Sequence, residues 1–177
     1  MIGELLQVSY DGESRIRPQE VTMVKLHLGD LAITSPSFEA GGPIPADHTG
    51  DGADVSPELA WHAIPSGTRQ LALVCHDPDA PLTYGFTHWV VYGIPPDVTG
   101  LPQGGGNAFT EGENDFGERG YLGPAPPPGH GTHHYYFHLY ALDTTLDAAA
   151  GLTRRELLER IDDHIIEQAR VVGTYQH

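Results

Sequence analysis

The sequence predicts a mainly β fold, a sandwich of two antiparallel sheets with a C-terminal helix and small helical segments. Three observations support this prediction. Glycine and proline are abundant, at 22 and 15 of 177 residues, and they divide the chain into short runs. Most of these runs are apolar and β-prone, and only one segment has a convincing helical pattern. The chain is long enough for one domain with a sizeable core.

The first 30 residues are interpreted as an N-terminal extension to a domain over residues 31–177. Residues 21–28 are β-prone, and no strong motif precedes them. The start of the chain has neither a basic n-region nor a long apolar h-region, so we expect no signal peptide. The lone cysteine, Cys75, excludes an intramolecular disulfide and fits a reducing compartment. Together these features predict a cytoplasmic protein.

Short strands follow one another along the chain. Residues 33–38 and 59–64 are each β-prone, and turn residues end or follow both runs. The acidic, glycine-rich residues 47–54 between them predict a surface loop. The Asp spacing in this loop differs from the alternating ligands of an EF-hand, so we do not predict a calcium site there.

Residues 71–75 form a continuous apolar run, which is typical of a strand that is buried on both faces. Residues 87–94 predict a second such strand, which stops at a Pro-Pro pair. The aromatic-rich residues 135–142 predict the clearest strand. The connection over residues 97–132 is long and irregular, and such a connection in a compact domain is usually functional.

The helical pattern lies near the C-terminus. Thr153 and Glu156 have the spacing of a capping box. Apolar residues then recur at helical intervals as far as Gly173, which we interpret as a C-cap. The sequence therefore predicts one helix that begins after Thr153 and ends at Gly173.

The charge of the chain is strongly negative. The sequence has 24 acidic and 9 basic residues, with a formal net charge of −15, and Lys25 is its single lysine. This balance argues against nucleic acid and anionic membrane surfaces as partners. No apolar run approaches the roughly 18 residues that cross a bilayer, so we expect no integral membrane association. An anion that binds this protein must therefore be held by local groups.

Two carboxylates follow the buried run at residues 71–75. The segment Asp77-Pro78-Asp79-Ala80-Pro81 contains two prolines, which fix the backbone and hold Asp77 and Asp79 in a stiff turn at the edge of the core. His88 opens the next strand. An aspartate that accepts a hydrogen bond from one ring nitrogen of a histidine orients the other toward a ligand.

Strand alternation predicts which of these side chains share a face. It places His88 with Val90 and Tyr92, and the intervening Trp89 and Val91 on the opposite face. In the later strand it places His133, Tyr135 and Phe137 on one face, and the residues between them on the other. We therefore do not expect His134 or His138 to join His133 in one site.

Signatures of metal binding and catalysis are weak in this sequence. It has no helical histidine pair and no Cys/His pairs with zinc spacing, so we predict no metal and no cofactor. It also lacks a Gly-x-Ser-x-Gly elbow and the lysine of a phosphate loop. We therefore predict that the protein is not an enzyme.

Several of these motifs occur together and in a familiar order. The chain resembles the phosphatidylethanolamine-binding protein family, also called the Raf kinase inhibitory protein family, in its bacterial and archaeal branch. The resemblance runs from about residue 33 to residue 175. It rests on residues 35–38, 56–61, 77–81, 88–91, 114–117 and 120–121, on the proline turn at residues 123–129, and on residues 133–135 and 172–175.

The resemblance implies a β-sandwich with a pocket that binds phosphate or carboxylate groups. The matching positions of this sequence are Asp77, Asp79, Pro81, His88, Ala125, Pro126, His133 and Tyr135. Two positions depart from the family pattern. His134 stands where the family usually has an arginine that helps to frame the site, and Ala125 stands where many relatives have Gly or Cys.

The resemblance also implies how the protein acts, since relatives inhibit kinases or serine proteases or associate with lipids. Our first hypothesis is a regulatory or inhibitor module that binds a phosphate- or carboxylate-bearing ligand, with a kinase or serine protease as its partner. Asp77 would stabilise a protonated histidine that donates to the ligand, so binding should improve at mildly acid pH. A hydrolase of a small phosphorylated or acyl substrate, with the Asp–His pocket as acid and base, is the alternative. The third hypothesis is a purely structural protein or a homodimer.

Overall fold

The structure, a computed structural model, describes residues 27–177. The predicted N-terminal extension, including the β-prone residues 21–26, therefore lies outside the described residues except for its last four positions. Among the helices of residues 27–177, none has the length and apolar character needed to cross a bilayer.

The described chain forms eight strands, one α-helix and three short 3-10 helices. The strands are β1 (Ala32–Thr34), β2 (Leu59–His62), β3 (Gln70–Asp77), β4 (Phe86–Ile94), β5 (Gly100–Leu101), β6 (Thr110–Glu111), β7 (His133–Leu142) and β8 (Ile165–Tyr175); the α-helix is α1 (Arg154–Ile161). The 3-10 helices are Ala46–His48, Gly105–Ala108 and Asp162–His164. The five strands predicted from the sequence are all present, with shifted ends.

The strands form two antiparallel sheets, as predicted. The small sheet has the order β1-β2-β5, and the main sheet has the order β6-β4-β3-β7-β8. The first apolar core lies between the sheets, with Ile33 and Trp61 from the small sheet packed with Trp89 and Phe137 from the main sheet. A second core, which includes Leu157 of α1, lies on the opposite face of the main sheet. The mainly β sandwich predicted from the sequence is therefore confirmed.

Strand β3 lies at the centre of the main sheet, and all eight of its residues are buried. Leu71 and Leu73 belong to the core between the sheets, whereas Ala72 and Val74 belong to the core beneath α1. Because apolar layers cover both faces, the strand is apolar at every position from Leu71 to Cys75 and shows no alternation there. The polar residues His76 and Asp77 come at its end.

The predicted C-terminal helix is correct at its start and wrong in its second half. The capping box is present, since Glu156 N–H donates to Thr153 Oγ1 and Thr153 N–H donates to the Glu156 carboxylate. The helix ends at Ile161, however, and residues 165–175 form β8 instead. This strand pairs with β7 from His133 to Leu142, and those ladder hydrogen bonds override a weak helical periodicity. Gly173 is a strand residue opposite Tyr135 and not a C-cap.

Candidate functional site

Asp77 ends β3 with both of its carboxylate oxygens already engaged. It is 3% exposed, its Oδ2 accepts a hydrogen bond from His133 Nδ1–H at 2.7 Å, and its Oδ1 accepts from Asp79 N–H at 2.8 Å. A buried charge needs such partners because its desolvation is costly. Asp77 therefore orients His133 rather than offering free oxygens to a ligand. Since Nδ1 of His133 carries the donated proton, Nε2 is the nitrogen left for other contacts.

His133 and Tyr135 begin β7 on the face that turns toward the small sheet. His133 is 3% exposed and Tyr135 1% exposed, and Phe137 continues the same buried face, as alternation predicts. The burial of Tyr135, together with the negative charge of Asp77, raises the pKa of its phenol. Tyr135 therefore keeps its proton at ordinary pH and is a neutral O–H donor.

A β-bulge brings His88 into the same group. Cys75 pairs with Trp89, and His76 pairs with Thr87, so His88 is an extra residue on β4. Its ring lies edge-on to Tyr135, with 5.1 Å between ring centroids, and is therefore on the face of Asp77 and Tyr135. The prediction that His88 shares a face with Val90 is wrong, because simple alternation takes no account of a bulge.

His88 is held in one orientation by the irregular connection before β7. Its Nδ1–H donates to Leu122 O at 2.7 Å, and Leu122 N–H donates back to His88 O at 3.0 Å. Nε2 is therefore the free nitrogen. Burial lowers the pKa of His88, and the backbone bond to Leu122 opposes this without reversing it. The ring is neutral at pH 7.

The residues that surround these groups were not predicted as site residues. Phe86 packs against His88, with 4.8 Å between ring centroids, and Phe116 packs against Phe86 at 5.1 Å. Phe116 is 72% exposed, and Leu82 and Tyr84 in the preceding loop are also exposed. An apolar rim therefore adjoins the polar cluster. The sequence feature that could have predicted this contact is Phe86, which stands at the start of the run that forms β4.

Asp79 lies apart from the buried cluster. Its Oδ2 accepts from the backbone N–H of His134 at 2.9 Å and from Nδ1–H of the same residue at 2.7 Å. Both side chains are close to half exposed. Partial burial raises the pKa of Asp79, but the bonds from His134 and the charge of His133 outweigh it, so the net pKa is lowered. As predicted, His134 does not join His133; it pairs with Asp79 instead.

The remaining predicted site residues belong to loops. Pro81 is exposed in the turn after β3, and Ala125 is exposed while Pro126 is buried. The carbonyl of Pro126 accepts from Nδ1–H of His177, whose Nε2–H donates to Asp51.

Hydrogen bonds between two loops hold the connection near His88 in place. Gly50 N–H donates to Pro124 O at 2.9 Å, Gly123 N–H donates to Asp54 Oδ1 at 2.6 Å, and Tyr121 O–H donates to His48 O at 2.8 Å.

A groove of about 440 Å³ lies elsewhere, lined by residues 34–40 and Val171, and contains none of the predicted site residues.

Asp77, His88, His133 and Tyr135 therefore form one cluster, which we call the Asp77 site. It contains one phenol, an orienting carboxylate and two imidazoles whose Nε2 atoms have no hydrogen-bond partner within residues 27–177. No group of three or more His, Cys, Asp or Glu side chains within residues 27–177 has the arrangement of a metal site.

The chain is a layered β-sandwich whose main sheet ends in a buried Asp–His pair. It belongs to the phosphatidylethanolamine-binding protein family, whose family model matches residues 34–176. A UPF0098 protein of Methanothermobacter thermautotrophicus is 42% identical over 146 residues, which cover 79% of this chain and 95% of that protein.

Two crystal structures show the same fold. A phosphatidylethanolamine-binding protein homologue from Chlamydia trachomatis has a TM-score of 0.78 and 38% identity, and the match covers 83% of this chain and 97% of that one. YbcL of E. coli, a member of the mammalian PEBP family, has a TM-score of 0.79 and 31% identity, with 84% and 99% covered.

Proposed function

We propose that the Asp77 site binds a small anionic group, with phosphate preferred over carboxylate, and that the protein is a binding module. The observation that supports this most is that the Nδ1 atoms of His88 and His133 already donate hydrogen bonds within the protein. His133 Nδ1–H is held by Asp77 and His88 Nδ1–H is held by Leu122 O, so each ring offers its Nε2 in a fixed orientation. Tyr135 adds a phenolic O–H.

A phosphate monoanion matches these three groups. Its P–OH can donate to the neutral Nε2 of His88, while its other oxygens accept from Tyr135 O–H and from protonated His133. The Asp77 carboxylate stabilises the imidazolium of His133 while it donates. An ionised carboxylate has acceptors only and cannot satisfy neutral His88, which is why phosphate is preferred. Phosphate monoesters have a second pKa of about 6, so mildly acid pH favours the matching form.

The apolar rim supports a ligand whose phosphate is attached to an apolar group. Phe116, Leu82 and Tyr84 are exposed beside the stack of Phe86 on His88. The family name points to phosphoethanolamine as the head group to test first. A kinase or serine protease partner and a cytoplasmic location are part of the proposal, supported by the family resemblance and the lone buried cysteine. Hydrolysis is the competing function.

The test is a phosphoethanolamine titration of the imidazole NMR signals of His88 and His133 at pH 5.5, 6.5 and 7.5. We expect saturable shifts of both signals and tighter binding at pH 5.5. Tyr135→Phe removes one donor and should weaken binding at least about tenfold, since a hydrogen bond to a charged group is worth about 1.5–3 kcal/mol. Tyr136→Phe, the neighbouring position on the other face of β7, is the matched control.

Two results would contradict the proposal. One is an unchanged affinity in Tyr135→Phe, and the other is the absence of saturable shifts at every pH. Steady release of inorganic phosphate from phosphoethanolamine, abolished in Tyr135→Phe, would replace the binding module with the hydrolase.

A further inference from the structure

The face of the main sheet opposite the Asp77 site carries a stack of polar rings. Tyr136, His138 and Tyr140 follow one another on β7 with ring centroids 5.9 and 6.1 Å apart and ring planes within 16° of parallel. His76 of β3 lies directly beside Tyr136 in the sheet and therefore shares this face. The guanidinium of Arg170 lies 5.7 Å from the Tyr136 ring centroid.

Positive charge is concentrated at this face of an acidic protein. Burial, with the charges of Arg154, Arg170 and His76, lowers the pKa of His138 to about 4. Burial and Arg154 also lower the pKa of His76, while the backbone at Phe86 and the carboxylates of Asp115 and Asp77 act in the opposite direction. Within residues 27–177, Arg154 and Arg170 have no carboxylate within ion-pairing distance, although acidic residues outnumber basic ones by 24 to 9.

One buried polar atom of the same group lacks a partner. His76 is 92% buried, and its Nδ1 has no hydrogen-bond partner among the described residues. Neither the ring nitrogens of His138 nor the hydroxyl of Tyr140 is hydrogen-bonded to residues 27–177. Asp115, whose charge acts on His76, already accepts from Thr87 N–H at 2.6 Å. Buried polar groups are normally satisfied, so the unpartnered Nδ1 of His76 beside two unpaired cations points to a missing anionic partner.

We propose that Arg154, Arg170, His138 and Tyr140 form a second binding site for a phosphate group, on the face of the main sheet that carries α1. Arg154 is the first residue of α1, which packs on this face of the sheet through Leu157. A guanidinium presents several donors in a plane and suits phosphate oxygens. Tyr140 adds a neutral donor, and His138 becomes a donor when the bound anion raises its pKa.

The experiment titrates the protein with inorganic phosphate at pH 6.5, against sodium chloride of equal ionic strength, and follows the imidazole NMR signals of His76 and His138. The Tyr135→Phe background weakens the first site. We expect saturable shifts of both signals in that background, and an apparent pKa of His138 that rises when phosphate is present. A parallel titration with phenyl phosphate distinguishes free phosphate from a phosphate carried on an aromatic group, which the ring stack should bind more tightly.

Arg154→Gln should weaken this binding at least about tenfold, because it removes a charge-assisted contact. Arg155→Gln is the matched control, since Arg155 is the next residue, is exposed and pairs with Glu159. Arg170→Gln repeats the test at an exposed strand position if the first variant is poorly folded. The proposal is overturned if phosphate and chloride shift His138 equally, or if the glutamine variants at 154 and 170 bind phosphate as tightly as the Arg155 variant.

Discussion

Replacing His138 by glutamine should make the protein less sensitive to acid. Burial and the charges of Arg154 and Arg170 depress the pKa of His138 from 6.5 to about 4. In the unfolded chain these influences are absent, and the ring protonates near pH 6.5. Between pH 6.5 and pH 4 the unfolded state therefore binds one more proton at this position than the folded state. Stability then falls as the pH falls through this window.

The size of this effect follows from the two pKa values. At about 1.4 kcal/mol per pKa unit, a pKa that is depressed from 6.5 to about 4 removes about 3 kcal/mol of stability by pH 4. Above pH 6.5 the ring is neutral in both states and contributes no pH dependence. His138→Gln has no titrating group, so its free energy of unfolding should decline by about 3 kcal/mol less than that of the wild type across the same window.

Urea unfolding at half-unit intervals from pH 4 to pH 8, followed by circular dichroism, measures both profiles. A titration of the His138 imidazole by NMR measures its pKa directly. The free energy of unfolding that Arg154→Gln loses across this pH window should lie between the losses of the wild type and His138→Gln, because the substitution removes one of the charges that depress the pKa of His138. If wild type and His138→Gln lost the same free energy between pH 6.5 and pH 4, the attribution to His138 would be refuted.

Three further predictions concern stability and use the same unfolding assay. Gly85→Ala should cost at least about 2 kcal/mol, since its Cβ would lie 2.3 Å from a backbone carbonyl at a φ of +67°; Gly129→Ala, at a φ of +82° with open space, should cost about 1 kcal/mol. His133→Ala leaves its aspartate partner buried and should cost about 3–5 kcal/mol, whereas His134→Ala breaks an exposed pair and should cost less than about 1 kcal/mol. Thr153→Ala removes the helix cap and should cost about 1 kcal/mol. Equal costs within either matched pair would contradict the reasoning for that pair.

The predictions made from the sequence succeeded where burial alone determines the pattern. The run at residues 71–75 is a central strand covered on both faces, and alternation from His133 to Phe137 assigns the correct side chains to the core. The Thr153 cap was predictable because it is a local hydrogen-bond pattern within four residues. Each of these features depends on neighbours in sequence or on a single buried layer.

The predictions failed where the local structure depends on pairing between strands that are far apart in the sequence. Residues 165–175 have apolar positions that fit either a helix or a strand, and the choice is made by β7, more than twenty residues away. The bulge at His88 depends on the register between β3 and β4, which single-sequence alternation does not contain. The position of Leu122, which orients His88 from 34 residues away, has the same cause.

The two proposed sites differ in how they can hold an anion in a protein of net charge −15. The Asp77 site uses His88, His133 and the phenol of Tyr135, so its attraction for an anion depends on protons and should strengthen as the pH falls. The opposite face uses Arg154 and Arg170, whose charges are permanent, so its attraction should persist above neutral pH. The pH dependence of phosphate binding, read separately from His133 and His138, therefore distinguishes the two sites within one protein sample.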